Sequence, residues 1–254
     1  MNARQAGTVA PQVSPRVGVR IAGTGSALPR TALTNRDLER LMDTSDEWIV
    51  QRTGIHERRK ISPEFNESTA TLSADALRGA LADARMQASD LDLIIVATMT
   101  PEMQCPATAC MVAHLVKARC GAFDLNAACS GFVFAMNTAH ELIRGGSYRA
   151  IGVVGADCLT TLMDYSTAGR GTAIIFGDGA GAAILRATDD ASMGLIAQSM
   201  HADGDGWKDI YVPEADRDFP PGVTPDKGKF CKVQMNGAGV FKFAVGTFPD
   251  LIQE

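Results

Sequence analysis

The sequence predicts a layered α/β fold built on a mostly parallel β-sheet. Helical patterns of apolar residues alternate along the chain with short, continuously apolar runs, which is the order that produces β-α-β units. The run Leu93–Ala97 has no polar position, a composition typical of a strand that is covered on both faces. Together these two observations favour a central sheet with helices packed on each side.

The first predicted elements are an N-terminal strand and two helices. The strand covers Gly18–Ala27, and the helix after it is capped by Thr34 or Asn35. Apolar residues on one face of this helix are expected to be buried: Leu38, Leu41 and Met42. A second helix is predicted after 66–69, because apolar residues recur at helical spacing in the segment that follows: Leu72, Ala76, Leu77, Ala80, Leu81 and Ala84.

Helix and strand alternate again in the next part of the chain. Pro106 suits the first turn of a helix that runs to about Lys117. A second buried strand is predicted over 123–127, and a helix over 130–144 is closed by the glycine pair at 145–146.

The remaining elements are less regular. Strands are predicted over 151–155 and 172–176, the second returning through GDGAGAAIL at 177–185 as a hairpin. Pro, Gly and Asp residues make 204–228 a loop region. An apolar helical pattern then begins at Gly239.

The composition restricts the classes of function. The chain carries 24 Lys or Arg and 29 Asp or Glu, a formal net charge of -5, without a long block of one sign. This balance gives no support to binding of nucleic acid or of an anionic membrane, and no apolar run approaches the roughly 20 residues of a membrane span. The six cysteines include no C-x-x-C pair and indicate reduced, mostly buried thiols of a cytoplasmic protein rather than disulfides or a metal site.

Cys129 stands between a predicted strand and a predicted helix, in the segment FDLNAACSGF. At a helix N-terminus, unpaired backbone N–H groups and the helix dipole favour thiolate over thiol. The small neighbours Ala127, Ala128 and Gly131 leave room for a substrate carbonyl. Position alone does not settle the matter, because a buried structural cysteine is the commoner interpretation of an arbitrary cysteine.

Three blocks of sequence occur in the order and spacing of one enzyme family. They are TSDEWIVQRTGIHERR at 44–59, DLNAACSGF at 124–132 and RGTAIIFGDGAGAAIL at 170–185. Over residues 18–254 the chain therefore resembles the β-ketoacyl-acyl-carrier-protein synthase III family, the condensing enzymes that initiate fatty-acid synthesis. The resemblance implies a thiolase-like α-β-α-β-α fold and makes Cys129 the acylated nucleophile.

The resemblance also implies a binding site for coenzyme A. In it, Trp48 and Arg170 stack on the adenine, Thr44 and Arg52 line the same cofactor, and Gly237 lies on a loop that approaches the pantetheine arm. An indole and a guanidinium can hold a base by stacking and cation–π attraction, and a guanidinium can bind a phosphate through paired hydrogen bonds. No permanently bound cofactor is expected, because acyl-coenzyme A is a substrate.

The same resemblance divides the chain and names its partners. It implies a flexible tail at 1–17, a complete N-terminal thiolase-like half at 18–190 and the start of a truncated C-terminal half at 191–254. The family's histidine, in an H-Q-A-N-type segment, and its asparagine hold the enolate oxygen during condensation, and neither segment occurs in these 254 residues. The expected partners are acyl-coenzyme A, acyl-carrier protein and, at full length, a second copy in a homodimer.

Three functions remain open from the sequence. The first is transfer of an acyl group from acyl-coenzyme A to Cys129, followed by condensation with malonyl-acyl-carrier protein. The second is a remnant that dimerises or binds coenzyme A without condensing, and the third is a cysteine acyltransferase with an oxygen or nitrogen acceptor. The basic run HERRK at 56–60 is interpreted as a solvated face, with docking of an acidic carrier protein as the alternative.

Overall fold

The computed structural model describes residues 17–253, so the predicted tail at 1–17 lies outside it except for its last position. In chain order the strands are β1 (Gly18–Ala27), β2 (Thr31–Thr34), β3 (Glu57–Lys60), β4 (Leu93–Ala97), β5 (Gly121–Leu125), β6 (Ala150–Cys158), β7 (Asp178–Thr188), β8 (Ile210–Tyr211) and β9 (Gln234–Met235). The helices are α1 (Asn35–Glu39), α2 (Asp46–Thr53), α3 (Thr69–Ala84), α4 (Thr108–Val116), α5 (Gly131–Arg144), α6 (Arg170–Ala173) and α7 (Gly237–Gln253).

The main sheet has five strands in the order β1-β7-β6-β4-β5. Strand β4 runs parallel to β5 and β6, whereas β7 runs antiparallel to β6 and β1. The prediction of a mostly parallel sheet is therefore confirmed for β1, β4, β5 and β6, which all run in one direction, and wrong for β7, which makes the sheet mixed. A parallel neighbour needs a long crossover connection, and the segment between β6 and β7 contains only short helical turns and returns the chain antiparallel.

Helices cover both faces of this sheet, as the sequence predicts. Ile94 and Val96 of β4 pack in one core cluster with α3 and α4, and Ile95 packs in another with α5. Alternate strand residues point to opposite faces, and every residue of β4 is at most 4% exposed. The described chain thus forms an α-β-α arrangement around a central strand.

Helix α3 lies unusually close to β1. A Cβ atom added to Gly25 would lie 2.3 Å from the carbonyl oxygen of Ala76, and one added to Gly23 would lie 2.5 Å from that of Ala80. Both alanines are fully buried. Small residues on both elements are therefore needed for this backbone approach.

Several local predictions are confirmed. Strands Gly18–Ala27 and Leu93–Ala97 have the predicted bounds, and Thr34 caps α1 by accepting a hydrogen bond from the Asp37 N–H at 3.2 Å. Leu41 is 54% exposed rather than buried. Helix α1 ends at Glu39, so Leu41 lies beyond the helix and does not share its buried face.

The strand predicted over 123–127 is not buried and does not have the predicted bounds. Strand β5 ends at Leu125, pairs with β4 alone among the described residues, and leaves Phe123 38% exposed. An apolar run predicts a strand, but its place at the centre or edge of a sheet depends on residues far along the chain.

The strand predicted over 172–176 and its hairpin are also wrong. Thr172 lies in α6, and the N–H groups of Ile175 and Phe176 both donate to its carbonyl oxygen. Strand β6 already pairs with β4 and β7 on its two sides, which leaves no position for this segment in the sheet. Ala173, Ile174 and Phe176 instead join a third core cluster with Leu38 and Ile49.

The chain after β7 contributes little to these cores. Helix α7 has no buried residue among those described, and Phe241 and Phe248 are 71% and 64% exposed. In the part of the chain that the structure describes, no helix is long and apolar enough to cross a membrane.

The close approach of α3 to β1 predicts a strong effect of Gly25→Ala. The added methyl group would overlap main-chain atoms of α3, which cannot move aside as a side chain would, so the free energy of unfolding should fall by about 3 kcal/mol. Urea denaturation measures this change. Gly181→Ala is the matched control in the same sheet, since a Cβ there meets nothing within 4 Å, and an equal loss in both variants would contradict the packing argument.

Candidate active site

The carboxyl ends of three parallel strands meet at one edge of the main sheet. The loops that follow β4, β5 and β6 carry Met99, Cys129 and Leu159, respectively, and these three residues line one cavity. In α/β sheets this edge is where ligands bind, because the loops beyond parallel strands converge there.

Cys129 occupies a single 3-10 turn, Ala128–Ser130, directly before the 14-residue helix α5. The turn begins with left-handed backbone at Ala128, φ 46°, and the Ala128 N–H donates to the Asn126 side-chain oxygen at 3.1 Å. Such backbone at a residue other than glycine is uncommon and is concentrated at functional sites. No side chain caps the first turn of α5. The N–H of Gly131 donates to the Ala128 carbonyl oxygen, and the positive end of the helix dipole favours negative charge at this position.

Two cavities meet at Cys129. The first, of about 400 Å3, has a mainly apolar lining: Met99, Leu159, Leu162, Phe176, Ile210, Tyr211, Val212 and Val233, with Asn126, Ala128, Glu214 and Cys231. The second, of about 450 Å3, is lined by sheet glycines, Phe132 and Asp157. An exposed thiol beside an apolar cavity can react with a group whose hydrocarbon part fills that cavity.

Asp157 supports the wall of this site. Its carboxylate accepts hydrogen bonds from the Met99 N–H at 2.8 Å and the Thr98 hydroxyl at 3.2 Å. Burial raises the pKa of Asp157, and these hydrogen bonds oppose that shift. The sequence pattern gives no signal of this role, because the partners of Asp157 lie almost sixty positions earlier in the chain.

Two arginines contact the indole ring of Trp48 in the region of α2 and α6. The guanidinium carbon of Arg170 is 4.7 Å from the centre of the indole ring, and that of Arg52 is 5.0 Å from it. Arg52 follows Trp48 by one turn on α2, whereas Arg170 reaches it from α6 and donates to the Asp43 carbonyl oxygen. The structure thus brings together three of the residues predicted to bind the cofactor.

The other two residues predicted to bind the cofactor, Thr44 and Gly237, lie in different places: Thr44 is next to α2, and Gly237 is at the start of α7. Thr44 precedes the Ser45 cap of α2, and its hydroxyl is buried without a hydrogen-bond partner among the described residues. A buried unpaired hydroxyl costs stability and marks a place where a ligand can supply the bond. Gly237 opens α7, is exposed, and lines neither of the two cavities at Cys129.

The six cysteines have different surroundings, and the expectation that most are buried is wrong. Only Cys158 is buried, and burial raises its pKa to about 12. Burial also raises the pKa of Cys120. Cys105, Cys110, Cys129 and Cys231 are exposed.

Comparison with known sequences gives a consistent result. The profile of 3-oxoacyl-[acyl-carrier-protein (ACP)] synthase III matches residues 123–204. The chain is 44% identical over 244 residues to a β-ketoacyl-[acyl-carrier-protein] synthase III of Xylella fastidiosa strain Temecula1, covering 95% of this chain and 72% of the relative. It is 41% identical over 231 residues to the enzyme of the same name from Caldanaerobacter subterraneus subsp. tengcongensis, covering 91% of this chain and 68% of the relative.

Solved structures extend the similarity to the fold. The crystal structure of 3-oxoacyl-[acyl-carrier-protein] synthase III from Aquifex aeolicus VF5 matches with a TM-score of 0.77 and 38% identity, covering 89% of this chain and 67% of that one. The enzyme from Pseudomonas aeruginosa PAO1 matches with a TM-score of 0.79 and 32% identity, covering 93% and 69%. These matches confirm the predicted thiolase-like α/β fold class.

The geometry predicts that Cys129 reacts fastest of the six thiols with iodoacetamide. It is exposed and stands at the start of α5, which no side chain caps, whereas Cys158 is buried with a pKa of about 12. Brief treatment followed by mass spectrometry of the peptides measures the order of labelling. Cys231 is the matched control, exposed and lining the same cavity without a helix start, and equal labelling of both would remove the physical basis for a nucleophile at 129.

Proposed function

Because the chain belongs to the β-ketoacyl-[acyl-carrier-protein] synthase III family, we propose that it is an acyltransferase that loads an acyl group from acyl-coenzyme A onto Cys129. The observation that carries this proposal is the position of Cys129, at the uncapped start of α5 and at the mouth of the apolar cavity. Where the family's complete set of residues is present, the acyl group then condenses with malonyl-acyl-carrier protein to give a β-ketoacyl product. That reaction initiates fatty-acid synthesis.

The loading step needs a thiolate and a place for the acyl chain. The sulfur of Cys129 attacks the thioester carbonyl, a new carbon–sulfur bond forms, and the bond to the coenzyme A sulfur breaks. Coenzyme A leaves as a thiolate that takes a proton from solvent. The N-terminal N–H groups of α5 favour the attacking thiolate, and the apolar wall formed by residues such as Leu159 and Phe176 receives the hydrocarbon chain.

Trp48, Arg170, Arg52 and Thr44 form the proposed coenzyme A site. At 4.7 Å from the indole ring, the Arg170 guanidinium occupies the stacking position that an adenine would take. Base binding therefore requires the Arg170 side chain to swing outward and stack on the far side of the base, while the main chain of α6 stays in place. Arg52 would then bind a phosphate, and the unpaired Thr44 hydroxyl would bind the nucleotide. For Gly237, the proposed contact with the pantetheine arm rests on the family resemblance alone.

The proposal extends to organisation and partners. All five strands of the main sheet lie between Gly18 and Thr188, which supports a thiolase-like half at 18–190 and the beginning of a second half at 191–254. The edge strand β5, with its exposed Phe123, is suited to pairing with a second copy in a homodimer. Acyl-carrier protein is the proposed second substrate carrier, and the cytoplasm the proposed location.

A second candidate function is acylation or coenzyme A binding without condensation. It is the reaction that these 254 residues could support by themselves, because the family's histidine and asparagine segments do not occur among them. The buried His140 does not replace them, because its Nδ1 atom lies 2.9 Å from a Glu141 oxygen and its Nε2 atom accepts from the Leu195 N–H. Each missing oxyanion donor removes about 2.7–4 kcal/mol of transition-state stabilisation.

Trp48 and Arg170, together called the clamp from here on, predict that Trp48→Ala weakens coenzyme A binding. Loss of base stacking on an aromatic ring should cost about 1–3 kcal/mol of binding free energy, measured by isothermal titration calorimetry. Trp207→Phe is the control, since Trp207 contacts Tyr211 rather than the clamp. Equal affinities of Trp48→Ala and the unsubstituted protein would place the nucleotide elsewhere.

The missing donors predict a separation of the two half-reactions. The 254 residues expressed alone should acquire an acyl group on Cys129 but release no measurable CO2 from malonyl-acyl-carrier protein, because the enolate oxygen lacks its donors. The exposed apolar residues of α7 should also cause self-association, measured by light scattering after size-exclusion chromatography. Intact-mass measurement with Cys129→Ala as the blank follows acylation, and a discrete monomer or dimer releasing CO2 at an enzyme-like rate would contradict the prediction.

A further inference from the structure

Arg58 is a buried cation, although it belongs to the basic run HERRK, which the sequence predicts to be a solvated face. It is only 5% exposed, and within residues 17–253 it forms no salt bridge. Its guanidinium donates to the Leu33 carbonyl oxygen at 3.2 Å, the Asn35 side-chain oxygen at 2.9 Å and the Ile174 carbonyl oxygen at 2.8 Å. One arginine thus joins β2, α1 and the turn after α6.

The contact with Asn35 extends to the helix that carries Trp48. The amide nitrogen of Asn35 donates to a carboxylate oxygen of Asp46 at 2.7 Å and to the carbonyl oxygen of Ile55 at 2.8 Å. Asp46 is the first residue of α2, and Ile55 follows its last turn. Arg58 therefore fixes, through one fully hydrogen-bonded amide, both ends of the helix that presents Trp48 and Arg52.

The contact with Ile174 extends to the opposite side of the clamp. Ile174 follows the last residue of α6, and its N–H donates to the Arg170 carbonyl oxygen at 3.4 Å. Because α6 has only four residues, holding its end also holds Arg170 at its start. Arg58 is thus linked by hydrogen bonds to α2, which carries Trp48, and to the end of α6, which carries Arg170. In the clamp, the guanidinium carbon of Arg170 lies 4.7 Å from the centre of the Trp48 indole ring.

We propose that Arg58 is a positioning residue that sets the spacing between α2 and α6, and so the width of the coenzyme A clamp between Trp48 and Arg170. The inference rests on the proposed coenzyme A site and adds to it a determinant that contacts no part of the ligand. A planar guanidinium can reach acceptors in several directions, whereas a lysine ammonium on a flexible stem cannot hold the same three at fixed distances.

Stability alone does not account for a charge at this place. Arg58 has no carboxylate partner, its Nε atom has no acceptor, and the neighbouring Tyr165 hydroxyl is likewise buried without a partner among the described residues. Burial raises the pKa of Tyr165 to about 12, so the phenol is neutral and does not balance the cation. A buried unpaired charge is unfavourable for folding. What an apolar residue at position 58 could not provide is the set of three hydrogen bonds that joins β2, α1 and α6.

The test uses the protein with Trp207→Phe, so that Trp48 is the only tryptophan. Arg58→Lys keeps the charge and loses the planar fork, and Arg58→Met removes both. Three quantities are measured on each: acrylamide quenching of Trp48 fluorescence without ligand, the Kd of coenzyme A by calorimetry, and the rate of Cys129 alkylation. Arg78→Lys is the matched control, because Arg78 also donates to a main-chain carbonyl, that of Leu115, but lies on α3 outside the clamp.

Arg58→Lys should raise the quenching constant of Trp48 about twofold and the Kd of coenzyme A about tenfold, while Cys129 alkylation stays within about twofold of the unsubstituted rate. Arg78→Lys should change none of the three. Unchanged quenching and Kd in a folded Arg58→Lys would overturn the inference, and so would a parallel loss of Cys129 reactivity, which would indicate a general structural role. If the protein with Trp207→Phe alone does not bind coenzyme A, the proposed function fails, and the quenching of Trp48 still decides whether Arg58 holds the clamp. If Arg58→Met does not fold, Arg58→Lys decides alone.

Discussion

Burial of β4 on both faces is the constraint on which the rest of the structure depends. A strand with no polar position can lie only at the centre of a sheet that carries helices on each side, and here α3 and α4 cover one face and α5 the other. Since β5 and β6 both run parallel to β4, the loops after these three strands must emerge at one edge. Cys129 stands there because α5 has to start at that edge in order to return across the sheet.

The nucleophile and the nucleotide clamp have different supports. Cys129 stands on the main sheet and α5, whereas Trp48 belongs to a separate small core with α1, α2 and α6. Polar groups connect the two parts: the buried carboxylate of Asp178 at the start of β7 accepts hydrogen bonds from the N–H of Ile61 at 2.8 Å and the hydroxyl of Thr160 at 2.6 Å. Apolar packing thus builds each part, and directional hydrogen bonds fix their relative position, which matters because the substrate must reach both.

Patterns confined to neighbouring residues were predicted best. The bounds of β1 and β4, the Thr34 cap and the amphipathic α3 all follow from spacing, capping chemistry and burial that a short window contains. The positions of Trp48 and Arg170 were predicted as a pair only through the family resemblance, because nothing in either segment alone indicates the other. Asp157 and the burial of Arg58 were missed for the same reason, since their partners lie far away in the sequence.

The sequence by itself determined the α/β class, the central strand and the helix start that exposes Cys129, because each depends on interactions between residues a few positions apart. Only the tertiary structure decided that β7 runs antiparallel, that β5 lies at an edge and that 172–176 turns instead of extending. These outcomes depend on which strands occupy the sides of β6, a competition among segments remote in the chain. The same holds for Arg58, whose charge suggests solvent but whose three acceptors come together only when β2, α1 and α6 are assembled.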